Sequence, residues 1–215
     1  MEKMSRITEI AEAAHRDFEA RTLARDAALT RSRALIRHSA NAIRAIHRSE
    51  SDLAQEHLSE GRKIVDDLKA DLAVYPDLYY AGYTQDAIKE FCEATLTTAY
   101  IEGREIPTPE EMGVVTSTYL RGMAETPGEL RRRTMDILRM GYSDEAERLL
   151  AQMDEIYSIL VTMDYPDAVT NGLRRQTDLL RGIVERTRAD LTLSLREDKL
   201  KELLAKAIET YNSEK

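Results

Sequence analysis

The stretch AALTRSRALIRHSANAIRAIHRS, residues 27–49, has the pattern of a long amphipathic helix and decides the fold class. It contains neither Pro nor Gly, and the first glycine or proline of the chain is Gly61. Because the pattern extends back to the N-terminus, we predict one uninterrupted helix over residues 5–48, about 60 Å long at 1.5 Å per residue. Such a helix is longer than a compact bundle can cover, so we expect oligomerisation. Apolar residues recur at helical spacing throughout it: Ile7, Ile10, Ala14, Phe18, Leu35, Ala42, Ile43 and Ile46.

The rest of the chain continues this helical character. Apolar spacing predicts further helices over residues 52–73, 84–102 and 116–140, one that follows Ser143, and one over residues 173–211. We expect an interruption of the fourth helix near Pro127. Thr108 and Pro109 predict a short capped turn, and Ser143 predicts a helix N-cap. No segment alternates like a strand, so we predict one all-α domain, residues 1–215, with six or seven helices.

Composition excludes several classes of protein. Cys92 is the only cysteine, so the chain can form neither an intrachain disulfide nor a thiolate zinc site. No apolar run approaches the ~18 residues of a membrane span. The N-terminus carries acids throughout and lacks the apolar segment of a signal peptide. We therefore expect a soluble cytoplasmic protein with no membrane partner.

Positive charge is concentrated in the opening stretch. The net charge is −8, yet residues 27–49 hold five arginines and no Asp or Glu, so the remainder carries −13. Arg33, Arg37, Arg44 and Arg48 are spaced 4, 7 and 4 residues apart and share one helix face, which we call the basic stripe. Fixed cations bind phosphates without reading sequence, so the stripe predicts an anionic partner. The alternative is a solvated face that pairs with acids of a neighbouring helix.

Two acidic pairs occur at helical spacing. Glu90 and Glu93 stand three residues apart in KEFCEA, and Glu125 and Glu129 stand four apart in AETPGELRRR. Each pair shares a helix face, where like charges repel unless something binds between them. Four carboxylates on two antiparallel helices would hold one or two hard divalent cations such as Mg²⁺, and such a site can polarise a phosphodiester and activate a water. The alternative is an ordinary set of solvated acids.

The segment AETPGELRRR has a second interpretation. Thr126, Pro127 and Glu129 have the spacing of a capping box, in which Glu129 would only close the first turn of a helix. The three arginines of the segment would either pair with acids or hold phosphate. The histidines show no metal-site spacing and are interpreted as surface or core-edge residues: His15, His38, His47 and His57.

Three segments resemble the translin family, and more closely its archaeal-type members akin to translin-associated factor X. They are YPDLYYAGYTQDAIKEFCEATLTTAYIEG, YLRGMAETPGELRRRTMDILRMGY and MDYPDAVTNGLRRQTDLLRGIVERTRADLT. The resemblance covers residues 31–192, with the motifs in the family's order. It implies a seven-helix all-α subunit and a hollow octamer that encloses nucleic acid. One chain that carries both the basic stripe and the acids suffices for a homo-octamer.

The resemblance also implies chemistry. Factor X-type subunits are Mg²⁺-dependent endoribonucleases that cut single-stranded RNA through a cluster of acids. One acid is Glu here where catalytic members usually have Asp, and the longer side chain would shift the metal. The implied catalytic and metal-binding residues, for Mg²⁺ or Mn²⁺, are Glu90, Glu93, Glu125 and Glu129. The predicted nucleic-acid-binding residues are Arg33, Arg37, Arg44, Arg48 and Arg132.

Two other functions stay open at this point. A translin-type protein would bind single-stranded DNA or RNA with the same shell and basic face but without turnover. A helical scaffold would bind no nucleic acid, and its interactions would not weaken with salt because phosphate contacts would be absent.

Overall fold

The computed structural model describes residues 5–213, and every regular element in that range is an α-helix. This confirms the predicted all-α fold class with its long first helix. The six long helices agree with the predicted ones, and the other three are single turns in connecting segments. In chain order the nine helices of the described range are α1 (Arg6–His47), α2 (Ser51–Asp71), α3 (Pro76–Tyr79), α4 (Gly82–Glu102), α5 (Pro109–Met112), α6 (Thr116–Leu138), α7 (Asp144–Leu160), α8 (Asp167–Thr170) and α9 (Leu173–Ser213).

Helix α1 is buried over only part of its 42 residues. Ser5 caps its start by accepting a hydrogen bond from the N–H of Thr8. From Ala28 onward one side packs against α2 and α4. None of the described residues ahead of Ala28 is buried, so the first half of α1 extends beyond the core. Its apolar side chains are exposed there: Ile7, Ile10, Phe18 and Leu23.

Helix α4 is the central helix of the core. Thirteen of its 21 residues are buried, and it packs mainly against α1 on one side and α6 on the other. Helix α6 in turn contacts α7 and α9. The predicted acids therefore lie on α4 and α6, the two helices whose contact joins α1 and α2 to α7 and α9.

Helix α6 runs without a break from Thr116 to Leu138, although Pro127 lies inside it. The predicted interruption is therefore wrong. Proline removes the amide that would bond the carbonyl of Met123, a defect that costs roughly 3 kcal/mol in an isolated helix. Pro127 is buried and α6 packs against three other helices, so tertiary burial outweighs the local defect.

The capping-box interpretation of Thr126 and Glu129 is also wrong. Thr126 is buried in the middle of α6, and its hydroxyl donates to the carbonyl of Gly122 at 3.0 Å. A capping box does form at Thr108, whose side chain accepts the N–H of Glu111 while the Glu111 carboxylate accepts the N–H of Thr108. This confirms the predicted capped turn. The predicted cap at Ser143 is confirmed too, since its hydroxyl accepts the N–H of Glu145.

Helix α9 resembles α1 in being only partly covered. No residue of its described part beyond Leu191 is buried. Like the start of α1, this end presents apolar side chains to solvent: Leu193, Leu200, Leu203, Leu204 and Ile208. Within residues 5–213, no helix combines the length and the apolar character required to cross a membrane.

Candidate functional site

The backbones of α4 and α6 approach closely at Gly122. A β-carbon at this position would lie 2.7 Å from the β-carbon of Cys92 and 2.8 Å from the carbonyl oxygen of Lys89. Only glycine therefore permits this separation without a shift of one helix. The contact brings Glu125, on the next turn of α6, beside the turn of α4 that carries Glu90 and Glu93.

Three of the four predicted acids converge at this contact. Glu90, Glu93 and Glu125 each offer a carboxylate oxygen, and these oxygens lie within 4.8 Å of one another. All three side chains are partly buried. We call these three residues the acid cluster. They come from the two helix faces that the sequence predicted to carry acids.

Glu93 has the most altered ionisation of the cluster. Burial is the largest cause, and the charges of Glu90 and Glu125 add to it, so that the pKa of Glu93 is raised from 4.5 to about 8. The carboxyl group is therefore mostly protonated at neutral pH. A cation that binds beside it would favour the ionised form, because the pKa of an acid falls near a positive charge.

Lys89 lies within the acid cluster and was not predicted as part of it. Its ammonium nitrogen is 2.9 Å from Glu90 Oε1 and also donates to Glu125 Oε2. The residue is only 8% exposed, which is rare for lysine unless it is paired. Burial alone would lower the pKa of Lys89, but hydrogen bonds to Glu125 and Glu90 outweigh it and raise the pKa.

Glu129, the fourth predicted acid, lies next to the cluster and is bound by other partners. Its Oε2 is 2.6 Å from His47 Nε2 and 3.6 Å from an Arg132 nitrogen. The hydrogen bond from His47 is the largest cause that lowers the pKa of Glu129, and burial opposes it. Glu129 is close enough to contribute to the raised pKa of Glu93. The role of Glu129 as a metal ligand stays a prediction.

Two buried polar atoms around the acids have no partner among the described residues. Gln176 on α9 donates from Nε2 to Glu125 Oε1 at 2.8 Å, but its own Oε1 accepts nothing. The His47 side chain is 4% exposed, and its Nδ1 is likewise without a partner. Buried polar atoms are rarely left unsatisfied, so these two indicate a water or a ligand near the acids.

The comparison with known proteins places this arrangement in a family. No family model matches the sequence. An uncharacterized protein of Methanocaldococcus jannaschii is 32% identical over 182 residues, which cover 84% of this chain and 80% of that protein. The structure of AfC3PO in complex with duplex RNA superposes with a TM-score of 0.81 at 30% identity, over 87% of this chain and 97% of that one. The chain belongs to the C3PO-like proteins of the translin family.

Two further C3PO structures agree with this assignment. The crystal structure of AfC3PO gives a TM-score of 0.80 at 30% identity, and it covers 87% of this chain and 97% of that one. Apo-NeC3PO gives 0.75 at 22% identity, with 90% of this chain and 100% of that one covered, and supports the fold alone. The resemblance to the translin family is therefore confirmed, whereas the factor X-like subunit type stays a prediction.

The basic stripe of this C3PO-like chain is not neutralised by neighbouring acids. All four arginines of the stripe are exposed. Arg44 donates to the side-chain carbonyl of Asn41, and among the described residues Arg33, Arg37 and Arg48 form no ion pair. The alternative of a face that pairs with acids of a neighbouring helix therefore does not hold within the described part of the chain.

The three consecutive arginines of α6 have different surroundings. Arg131 pairs with Asp190 at 2.7 Å and Arg133 with Glu145 at 3.0 Å, so both tie α6 to other elements. Arg132 is half exposed and faces Glu129. Of the three, it has the most exposed side chain and lies beside Glu129, and its role in binding nucleic acid stays a prediction.

The sequence contains signals for the two residues that were missed. Lys89 follows Ile88 and lies four residues after Gln85, a buried position, so it falls on the core side of α4. His47 lies four residues after Ile43 and one after Ile46, which are both buried. A charged or titratable side chain on a buried helix face requires a partner, and that requirement would have identified both residues.

Proposed function

We propose that the chain is a nucleic-acid-binding protein with Mg²⁺-dependent endoribonuclease activity on single-stranded RNA, assembled as a hollow oligomer. The observation that carries the proposal is the convergence of Glu90, Glu93 and Glu125 in a C3PO-type fold. Lys89 compensates only part of the negative charge of this cluster, and Glu93 would ionise more readily beside a bound cation.

The residues of the site fit a hard divalent cation. Glu90, Glu93 and Glu125 supply only oxygen atoms, the ligands that Mg²⁺ and Mn²⁺ prefer. Gln176 holds Glu125 in place, and its unpartnered Oε1 fits a water of the coordination shell. When bound, the cation would polarise a phosphodiester and activate a water for attack.

Glu129 and His47 would complete the site as a second pair. Because His47 Nε2 is bound to the Glu129 carboxylate, Glu129 is held beside the acid cluster. From that position it would accept a proton from an attacking water or serve as a fourth ligand. Arg132, on the exposed side of Glu129, would hold the phosphate of the RNA strand.

The basic stripe supports a nucleic-acid partner. Arg33, Arg37 and Arg44 lie on α1 and Arg48 is its C-cap residue, next to His47, which contacts Glu129. Unpaired arginines on one face bind a phosphate backbone without sequence specificity. AfC3PO, at 30% identity, forms a complex with duplex RNA, which supports RNA as the ligand class for this chain as well.

One experiment tests the catalytic proposal. Purified protein is incubated with labelled 25-nucleotide RNA, single-stranded or duplex, in Mg²⁺ or EDTA. We expect cleavage of the single strand that requires Mg²⁺ and is abolished in Glu93→Gln. The matched control is Glu56→Gln, which removes an exposed carboxylate of α2 and leaves cleavage intact. Absence of cleavage with any divalent cation, together with retained binding, would exclude the nuclease.

Non-catalytic binding of single-stranded DNA or RNA is the second candidate function. Lys89 favours it, since its ammonium already compensates part of the negative charge without a metal. In that case the protein binds RNA equally in Mg²⁺ and EDTA and releases it intact.

A further inference from the structure

Lys89 places a positive charge between the carboxylates of α4 and α6. Its ammonium nitrogen bridges Glu90 Oε1 and Glu125 Oε2, one oxygen from each of the two helices. The ammonium therefore occupies the position between these two oxygens, so a metal ion that used both of them would have to replace it.

The contacts of Lys89 leave part of the carboxylate oxygens of the acid cluster without a partner among the described residues. Glu90 Oε2 and both oxygens of Glu93 accept no hydrogen bond from another described residue. Glu125 Oε1 accepts only from Gln176 Nε2. A single divalent ion can use these oxygens while Lys89 keeps its two bonds, whereas a second ion would have to displace the ammonium from a buried position.

The packing prevents an easy displacement. Lys89 is 8% exposed, and the α4 backbone at Lys89 is held by the close contact with Gly122, where a β-carbon would lie 2.8 Å from the Lys89 carbonyl oxygen. The lysine stem emerges from a fixed point of the core. Moving the ammonium into solvent would also leave Glu90 and Glu125 uncompensated at a partly buried site.

We propose that the Lys89 ammonium is a permanent cation of the acid cluster. It limits the cluster to one divalent ion and weakens the binding of that ion. This inference rests on the proposed function only in taking the acid cluster as the metal site. The lysine supplies one fixed positive charge, and one exchangeable ion supplies the other.

The test is a titration with Mn²⁺, followed by the electron paramagnetic resonance signal of the free ion. We expect one Mn²⁺ per wild-type chain. Lys89→Met keeps an unbranched side chain that is one atom shorter than lysine and removes its charge. It should bind Mn²⁺ at least tenfold more tightly, equivalent to about 1.4 kcal/mol, or should take up a second ion. Lys63→Met is the matched control, because Lys63 is an exposed lysine that pairs with Glu60 away from the cluster.

A second measurement covers loss of stability in the variant. Removing one partner of a buried ion pair destabilises a fold, so Lys89→Met should have a lower Tm in EDTA. Mn²⁺ should raise that Tm more than it raises the Tm of the wild type. Lys89→Gln, which keeps a hydrogen-bond donor, should show the same rescue if the methionine variant does not fold.

The outcomes separate this inference from the proposed function. If the wild type binds one Mn²⁺ and Lys89→Met binds it no more tightly and takes up no second ion, Lys89 is a structural partner of the acids and the inference is wrong. If Mn²⁺ binding appears only in Lys89→Met, the lysine excludes the ion altogether, which overturns the one-ion site and the metal dependence of the proposed function. If neither protein binds more Mn²⁺ than Glu93→Gln does, the acid cluster is not a metal site and the proposed function fails with the inference.

Discussion

At the scale of single residues, the carboxyl group of Glu93 keeps its proton at a pH where an ordinary glutamate is ionised. Its pKa of about 8 lies well above the ordinary 4.5 because the side chain is buried beside two other acids. Residues of this kind are typical of sites that bind a ligand, since a shifted pKa reflects an environment built for something other than stability. The raised pKa of Glu93 therefore predicts how substitution of this residue changes stability as well as activity.

Glu93→Gln should stabilise the metal-free protein at high pH. Between pH 4.5 and 8 the native carboxyl group keeps a proton that the unfolded chain has released, so native stability falls as the pH rises through this window. Glutamine does not ionise and avoids that loss. In EDTA, the variant should have a larger free energy of unfolding than the wild type. This difference should be greater at pH 8 than at pH 5, by on the order of 2 kcal/mol.

Denaturant titrations at the two pH values measure this difference. Glu56→Gln should follow the wild type at both, because Glu56 is exposed. Parallel behaviour of Glu93→Gln and the wild type would mean that the carboxyl group of Glu93 is solvated and that the cluster carries no electrostatic strain.

At the scale of secondary-structure elements, the site depends on the contact between α4 and α6. Neither helix carries the acid cluster alone: Glu90 and Glu93 lie on α4, and Glu125 lies on α6. The distance between the helices is set at Gly122, and the continuity of α6 through Pro127 keeps Glu125 and Glu129 on one rigid helix.

Gly122→Ala should separate the two helices and weaken the site. The added methyl group would meet backbone atoms of Lys89 and Glu93 at 2.8–3.0 Å, which cannot move without shifting α4. Overpacking of this kind costs about 1–3 kcal/mol, and Mn²⁺ affinity should fall with it. Thermal unfolding and Mn²⁺ titration measure the two effects.

Gly128→Ala is the control within the same helix. A β-carbon at Gly128 meets nothing within 4 Å, so alanine should be neutral or stabilise by up to about 1 kcal/mol. Equal behaviour of the two alanine variants would show that the approach of α4 and α6 is not limited by Gly122.

At the scale of the whole molecule, two surfaces of the protomer lack partners within the described residues. One is the basic stripe of α1. Exposed apolar side chains also occur at the start of α1, among them Ile7, Ile10 and Phe18, and near the end of α9, among them Leu203 and Ile208. Exposed arginines suit an anionic ligand, and clusters of exposed apolar side chains are typical of interaction surfaces, so both surfaces lead to predictions.

Charge reversal in the basic stripe should weaken RNA binding. If Arg37 and Arg44 each bind a phosphate as proposed, Arg37→Glu with Arg44→Glu should lower the affinity by more than tenfold and the salt slope by about 1.4. Filter binding across a salt series measures both. Lys63→Glu with Arg181→Glu makes the same change in net charge at exposed positions of α2 and α9 and should have little effect. Equal losses of RNA affinity in both double variants would show that binding depends on net charge and not on the basic stripe.

The apolar end of α9 should mediate assembly. Leu203→Glu with Ile208→Glu places charges on two exposed apolar positions, and burying such charges at an interface is unfavourable. Light scattering after gel filtration should show a smaller assembly than the wild type, while Lys206→Glu, a charge change at an exposed polar position of the same helix, should leave the mass unchanged. A wild-type mass in both variants would contradict a role for α9 in assembly.

Residue order along single helices was enough to predict the fold class, the six long helices and three acids that the structure brings together. Helical periodicity and the absence of Gly and Pro before Gly61 fixed the long α1, because both are local properties of a chain segment. The spacing of the acids placed each pair on one helix face for the same reason. The basic stripe could be predicted in the same way, since the charge along a single helix depends only on residue order.

Which residues meet between helices depends on how the whole chain packs. The distance between α4 and α6, the bridging of two acids by Lys89 and the pairing of Glu129 with His47 join residues up to 82 positions apart. No local pattern encodes such contacts. The same holds for Pro127 and Thr126, whose local preferences favour a helix start, because burial against three other helices outweighs a local preference of a few kcal/mol.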